Sequence, residues 1–244
     1  MIALDNNPLI SIITVVYNAV NSLECTIQSV LGQSYPNIEY LIIDGGSTDG
    51  SVEIIKKYSN KLTYWVSEKD HGIYDAMNKG LKLAKGELIG IINSDDWYEL
   101  DAVEQIVKSY KKNCDTEVFH GLLRFVDHNG NFKSIAGHDI SFINTGMIEH
   151  PTCFVKSALY QKLGYFDNRY RAAADYDFMN RAVSNKVKFS FINHIIANFS
   201  EGGITSSETS AQEELKIKYK YGHISRSKFL RWLLILKIIY LTKK

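Results

Sequence analysis

The sequence predicts an α/β fold: a mostly parallel sheet flanked by helices, with a helical extension at its C-terminal end. Three observations carry this reading. Short apolar, β-branched runs alternate with helix-patterned segments over the first hundred residues. The runs are continuous rather than alternating, as in strands covered on both faces. The stretches between them are long enough for the crossovers that parallel strands require.

Leu9 to Val16 (LISIITVV) is the first such run. Asn21 or Ser22 then caps a helix that Gly32 and Pro36 stop. IEYLIID is the second strand and ends at Asp44, after which Thr48 or Asp49 caps a helix through Tyr58 and LTYWV forms a third strand. HGIYDAMNKGLKLAKG reads as a helix with Ile73, Met77, Leu81 and Ala84 on one face and Gly86 as its stop. ELIGIIN is the fourth strand. Beyond Leu100 the alternation loosens into a helix near 101–112, a strand through TEVFHGLL and a hairpin signalled by Asn129-Gly130. Helices near Lys156 to Leu163 and Asp175 to Val183 follow, then the strand VKFSFIN. The polar stretch SEGGITSSETS reads as a loop whose composition suits a lid. Two helices close the chain.

A net charge of +1 over 244 residues gives no electrostatic case for a nucleic-acid partner. Cys25, Cys114 and Cys153 are widely spaced, without a CxxC or Cys/His pattern, and read as buried thiols in a reducing compartment. MIALDNNPLI has neither a basic start nor a long apolar stretch, so the expected location is the cytoplasm. Charge is uneven. From Lys216 onward the chain carries Lys218, Lys220, Arg226, Lys228, Arg231, Lys237, Lys243 and Lys244 and no acidic residue. KFLRWLLILKIIYLTKK within this stretch is too short in its apolar runs to span a bilayer. It suits peripheral contact with an anionic membrane, at the inner face of the cytoplasmic membrane, or packing on the protein itself.

Two acidic segments follow predicted strands: DGGSTDGS from Asp44 and NSDDWY with Asp95 and Asp96. Strand ends are where open α/β sheets bind ligands. DGGSTDGS fails as a calcium loop, because placing Gly50 at the invariant glycine puts Gly45 and Lys56 at ligand positions. Neither a GxxxxGK[ST] nor a GxGxxG pattern follows any of the strands. An acceptor-only carboxylate at such a place suits the N–H of a base or the hydroxyls of a ribose. Paired carboxylates at a strand end suit Mg²⁺ or Mn²⁺ completed by substrate phosphates, or else a solvated loop in which Asp96 caps the next helix.

TVVYNA, IEYLIIDGGSTDGS, SEKDHGIYDAMNKGLKLAKGELIGIINSDDWY and GYFDNRYRAAADYDFMNRA, in that order, resemble the bacterial inverting GT-A glycosyltransferases of family 2, of the O-antigen and surface-polysaccharide type. The resemblance spans roughly residues 9–185.

It implies a GT-A (Rossmann-like) catalytic domain over 1–205, with a nucleotide-binding half to about residue 100 and an acceptor half beyond it, while the basic, apolar composition of 206–244 reads as amphipathic C-terminal helices that carry little of the resemblance. A sugar would pass from a UDP-sugar donor to a glycan or lipid-linked saccharide acceptor, with Mn²⁺ or Mg²⁺ as cofactor. Asp44 corresponds to the aspartate that reads uracil, with Thr14, Tyr17 and Asn18 as the opposite wall and Asp70 at the edge of the same pocket. Asp95 corresponds to a ribose or sugar contact and Asp96 to the metal ligand. Asn93 stands where many relatives have a further aspartate. Asp175 corresponds to the general base, in a position where relatives carry Glu-Asp and this chain has Ala174-Asp175. Asp177 is the rival, and residues two apart on a helix point about 200° apart. His150 and Trp97 are candidate acceptor or sugar contacts, and His194 a candidate downstream metal ligand. The alternatives are a sugar-phosphate nucleotidyltransferase, which TVVYNA does not fit, and a non-catalytic nucleotide-sugar-binding protein. Sugar identity, linkage and oligomeric state are not encoded in any of these motifs.

Overall fold

The computed structural model describes residues 7–127, 130–200 and 208–241. Strands β1 (Ile10–Val16), β2 (Ile38–Asp44), β3 (Tyr64–Ser67) and β4 (Leu88–Asn93) run parallel in the order β3-β2-β1-β4. Their crossovers are α1 (Leu23–Leu31), α2 (Ser51–Tyr58) and α3 (Ile73–Leu83). There follow β5 (Trp97–Tyr98), α4 (Ala102–Lys112), β6 (Val118–Val126), β7 (Phe132–Ala136), β8 (Phe154–Lys156), α5 (Ser157–Leu163), α6 (Ala174–Ser184) and β9 (Phe189–Ser200). Two helices, α7 (Glu208–Lys220) and α8 (Arg226–Leu241), end the described chain. Strand β8 lies antiparallel between β4 and β6, so both halves of the chain join in one nine-stranded sheet. The β6/β7 hairpin forms as the Asn-Gly signal predicts, with Gly130 at φ +79°, although Asn129 itself lies outside the described residues.

The buried strands obey a period of two. Ile13, Val15, Leu41, Ile43, Ile89 and Ile91 pack with residues of α3, α5 and α6 on one face. Ile10, Ile12, Tyr40, Ile42, Leu88 and Ile92 pack with α1, α2 and α4 on the other. Register then fixes where chemistry can occur: Val16 lies beside Asp44 and Val15 beside Asn93, so the C-terminal ends of β1, β2 and β4 are level.

At the opposite end a buried carboxylate ties the strands together. Glu39 accepts from Ser11 Oγ, the Lys85 amide and, at 3.0 Å, the Gly86 amide. Gly86 therefore does not stop α3 as expected; the helix ends at Leu83 and Ala84 is already extended. A Cβ on residue 86 would stand 2.5 Å from the Ser11 nitrogen and 2.8 Å from the Leu9 carbonyl, which is why glycine is required. The inward face of α3 also differs from the expected stripe. Tyr74, Ala76 and Gly80 join Met77 and Leu81 there, while Ile73 and Ala84 are only partly buried. Helix α3 approaches β1 so closely that a Cβ on Gly80 would sit 2.6 Å from Ile13 Cγ2.

Two further expectations are corrected. Only Cys153 is buried, whereas Cys25 and Cys114 are exposed. Helix α8 is not amphipathic: exposed Leu230 and Trp232 point about 200° apart, and Leu234, Ile238 and Ile239 are exposed as well. Its inner contact is with α7, through Phe229 stacked on Tyr219 at 4.7 Å. Among the described residues no helix is long and apolar enough to cross a membrane.

His120 on β6 is fully buried between Phe189 and Phe191, and among the described residues neither ring nitrogen has a hydrogen-bond partner. Burial pushes its pKa down to about 4, against the weaker opposing pull of Glu149 and Asp139. The folded value lies below the unfolded one, so the stability tied to the neutral ring is complete above about pH 6.5 and is lost as pH falls through about 4. The shift corresponds to about 3 kcal/mol at most. A His120→Leu variant is expected to flatten the decline in urea-unfolding stability between these pH values. An unchanged slope would remove His120 as the source.

Candidate active site

A cavity of about 710 Å³ opens at the level strand ends. Its walls come from the turn after β1 (Tyr17, Asn18, Ala19), the loop after β2 (Gly45, Gly46), the loop after β3 (Lys69, Asp70), the start of α3 and the end of β4 (Asn93, Ser94, Asp95). The second half of the chain closes it with His150, Arg171, Ala172, Asp175 and Phe199.

The loops after β1 and β2 are stitched together by hydrogen bonds. Asn18, in the left-handed region at φ +50°, accepts from the Thr48 amide through Oδ1 at 2.9 Å. Its own amide donates to Ser47 Oγ at 2.8 Å, and the Ala19 and Val20 amides donate to Ser51 Oγ and Asp49 Oδ2. Asp44 belongs to this scaffold. Its carboxylate is fully buried and accepts from the Gly46 and Ser47 amides, both at 3.0 Å, from Ser47 Oγ at 2.5 Å and from Ser67 Oγ at 2.6 Å. Three donors fall on Oδ2 and one on Oδ1, and the buried Asp44 is not among the residues that line the cavity, where the sequence reading expected it. The carboxylate that does face it nearby is Asp70. Asp70 Oδ2 lies 2.3 Å from where a Cβ on Gly45 would stand, so the absence of a side chain at residue 45 is what admits Asp70. The Gly72 amide fixes Asp70 through Oδ1 at 2.9 Å.

Thr14 and Trp97 also leave the expected set. Thr14 is buried within the sheet with its hydroxyl 2.9 Å from Tyr40 OH, because odd and even positions of β1 face opposite layers and neither faces the strand end. Trp97 sits in β5, paired with Asn198 of β9 and away from the cavity wall. His194 is 3.0 Å from Asp101 Oδ1 on a separate cleft with Glu99 and Arg124, so it does not join Asp95 or Asp96. The SEGGITSS lid lies almost wholly within 201–207, outside the described residues.

Asp95 faces the cavity and Asp96 turns behind it. Burial raises the Asp95 carboxyl above the usual carboxylate range; for Asp96 burial and then the neighbouring Asp95 raise it much further. Asp96 Oδ1 accepts weakly from the Ser200 amide at 3.3 Å, and among the described residues Oδ2 has no donor within hydrogen-bond distance. Asn93 Oδ1 is likewise buried and unpartnered. No cation acts on either aspartate among the described residues. Unpaired acceptor oxygens with no basic neighbour fit a hard divalent cation. Among the described residues no three His, Cys, Asp or Glu groups converge, so ligand oxygens and water would complete such a shell.

Across the cavity the structure separates the two candidate bases. Asp175 lines the cavity, and Tyr74 OH donates to its Oδ1 at 2.9 Å, leaving Oδ2 without a protein donor among the described residues. Asp177 turns away and is used up by Arg181 Nε at 3.1 Å, Lys220 Nζ at 2.6 Å and Tyr221 OH at 3.1 Å. Burial and the Asp175 charge both raise the Tyr74 phenol well above its ordinary pKa, so it stays a donor. His150 packs edge-on against Phe166 at 6.1 Å, and burial lowers its pKa, which favours the neutral ring. Sequence reasoning missed Tyr74, Lys69, Arg171 and Phe199. Tyr74 is 101 residues from its partner Asp175, and no local signal links them.

Comparison with known proteins agrees with this architecture. The family model described as glycosyl transferase family 2 matches residues 11–178. An uncharacterised glycosyltransferase of Mycobacterium tuberculosis is 34% identical over 180 residues, covering 72% of this chain and 69% of the relative. A PGL/p-HBAD biosynthesis glycosyltransferase of Mycobacterium bovis is 28% identical over 215 residues, covering 86% and 83%. Among solved structures, S. aureus TarS 1-349 in complex with UDP-GlcNAc superposes with a TM-score of 0.71 at 22% identity, over 87% of this chain and 66% of that one. Against a longer TarS chain the coverage is 39%. Mannosyltransferase PcManGT from Pyrobaculum calidifontis, in complex with GDP-Man and Mn²⁺, gives 0.67 at 17% identity, over 91% of this chain and 66% of that one. The sheet and its flanking helices are of the GT-A type, and the chain belongs to glycosyl transferase family 2.

Proposed function

We propose that the protein is a divalent-cation-dependent, inverting glycosyltransferase that moves a sugar from a UDP-sugar to a hydroxyl of a glycan acceptor in surface-polysaccharide synthesis. One observation carries this: a single cavity joins the carboxylate-bearing end of β4, with Asp95, to Asp175 from the far half of the chain. The UDP-GlcNAc bound by TarS supports the choice of donor class.

In this reading the nucleotide lies over Gly45 and Gly46, where no side chain intervenes, with Tyr17 and Asp70 beside it. Asp70 would accept from the base or the ribose in the place first assigned to Asp44. Asn93, Asp95 and Asp96 would hold Mn²⁺ or Mg²⁺, which when bound neutralises charge on the diphosphate. Asp175 Oδ2 takes the proton of the acceptor hydroxyl as that oxygen bonds to the sugar C1. The bond from C1 to the diphosphate oxygen breaks, and its electron pair leaves with UDP. Attack from the face opposite the leaving group inverts C1, so an α-linked donor gives a β-glycoside. His150, which lines the cavity and whose neutral ring burial favours, would meet the acceptor or a phosphate.

The acceptor is lipid-linked in this proposal, because α8 combines exposed apolar side chains with Lys228 and Arg231 and suits an anionic membrane surface. Thermal shift with Mn²⁺ and UDP-glucose, UDP-galactose, UDP-GlcNAc or UDP-GalNAc should show a rise for at least one donor. No rise with any, or with UDP alone, would end the nucleotide assignment. Removing residues 229–244 should abolish co-sedimentation with vesicles containing anionic lipid. Persistent binding by the shortened chain would end the membrane reading without touching the first.

A further inference from the structure

The family match ends at residue 178, before α7 begins. Yet α7 reaches into the wall of the cavity. Glu213 is 8% exposed, and its carboxylate accepts the Arg171 amide at 2.9 and 3.0 Å and the Ala172 amide at 2.8 Å. Both residues line the cavity, and the segment they form leads directly into α6, which begins at Ala174 and carries Asp175. Those two amides precede the helix and face no backbone acceptor among the described residues, so without Glu213 they would be left for water.

The last residue of α7 and the turn after it also hold α6. Lys220 Nζ and Tyr221 OH hold Asp177 Oδ1, and His223 Nε2 lies 2.5 Å from Asn180 Oδ1. The base is therefore held from three directions: Tyr74 OH on its carboxylate, Glu213 on the approach to its helix, and the end of α7 on the helix itself.

We infer that Glu213 is a positioning residue for the transfer step: by fixing the Arg171–Ala172 backbone it sets where Asp175 stands relative to the acceptor hydroxyl. This rests on the glycosyltransferase reading for its chemistry but not for its geometry. A displacement of about 1 Å at a reacting group costs on the order of 10²-fold in rate, so a fixed approach to α6 matters more for turnover than for donor binding.

The test compares the full chain with Glu213→Ala and Glu213→Gln. Three readouts are taken: amide hydrogen exchange without ligand, UDP affinity with Mn²⁺ by calorimetry, and turnover of whichever UDP-sugar the thermal screen selects. Glu213→Ala should accelerate exchange at residues 171–175 while β1 and β2 stay protected. UDP affinity should hold within about twofold and kcat should fall by roughly 10–100-fold. Glu213→Gln, which keeps one oxygen acceptor, should recover part of the kcat. Turnover within about twofold of the parent in Glu213→Ala would overturn the inference, as would loss of protection across the whole sheet in both variants or a loss of UDP affinity matching the loss of turnover. Failure of the parent itself to bind UDP would count against the proposed function, while the exchange measurement would still decide whether Glu213 fixes this segment.

Discussion

Replacing Asp175 with Asn is expected to lower sugar transfer by about 10²–10⁴-fold, the usual contribution of a positioned general base, with UDP affinity and melting temperature close to those of the parent. The side chain keeps its shape, so Tyr74 OH retains an acceptor at the Oδ1 position. What is lost is the basic oxygen at Oδ2 that the proposed reaction requires for the acceptor proton. Tyr74→Phe leaves the carboxylate in place but frees it to rotate, and its loss of turnover should be smaller. Asp177→Asn separates the two aspartates by a different route. It breaks the pairing with Lys220 and Arg181 deep against α7, so its cost should appear in stability first. Turnover by Asp175→Asn within threefold of the parent, measured as UDP release with the donor selected above, would remove Asp175 as the base.

The contrast between these two aspartates shows how far the sequence was legible. Strand positions and most helix positions followed from apolar runs, because a doubly covered sheet imposes a strict pattern on every strand it buries, whereas α2 opens at Gly50 and not at the expected Thr48 or Asp49. Helix geometry said only that Asp175 and Asp177 cannot share a direction, and the preference for Asp175 came from the resemblance, at the position where relatives carry Glu-Asp. Asp44 was misplaced for a reason of the same kind but less readable. Whether a strand-end carboxylate faces outward depends on the turn that follows, and here Gly46 at φ +87° folds the loop so that its amides converge on Asp44. The carboxylate that lines the cavity there is Asp70, admitted by the missing Cβ of Gly45. Nothing local in DGGSTDGS announces that exchange. Tyr74 and Glu213 escaped for a different reason. Each meets its partner across the fold, and such contacts exist only once α3, α6 and α7 have packed.

Asp96 offers the second large effect, and its sign is opposite in the presence and absence of cation. Its carboxyl is buried, has no donor at Oδ2, and is raised well above the ordinary carboxylate range by burial and by Asp95. A folded value above the unfolded one means that the folded chain binds the proton more tightly. Metal-free stability therefore declines as pH rises from about 4 toward the raised folded value. A buried carboxyl without a donor at Oδ2 favours the unfolded chain once the unfolded group has ionised, so at neutral pH Asp96→Asn should stabilise the metal-free protein, by roughly 1–2 kcal/mol on the scale of such substitutions. A bound cation reverses the balance. At a hundredfold excess over Kd it adds about 2.7 kcal/mol, a rise of roughly 5–10 °C in Tm for a chain of this size. Because the cation displaces the proton, that rise should grow with pH. Asp96→Asn should lose the Mn²⁺-dependent rise and its pH dependence together, and sugar transfer with them, while melting above the parent in EDTA. A variant that melted below the parent in EDTA yet kept the full Mn²⁺ shift would show that Asp96 is a structural carboxylate, and would leave Asp95 and Asn93 to hold the cation with the donor phosphates.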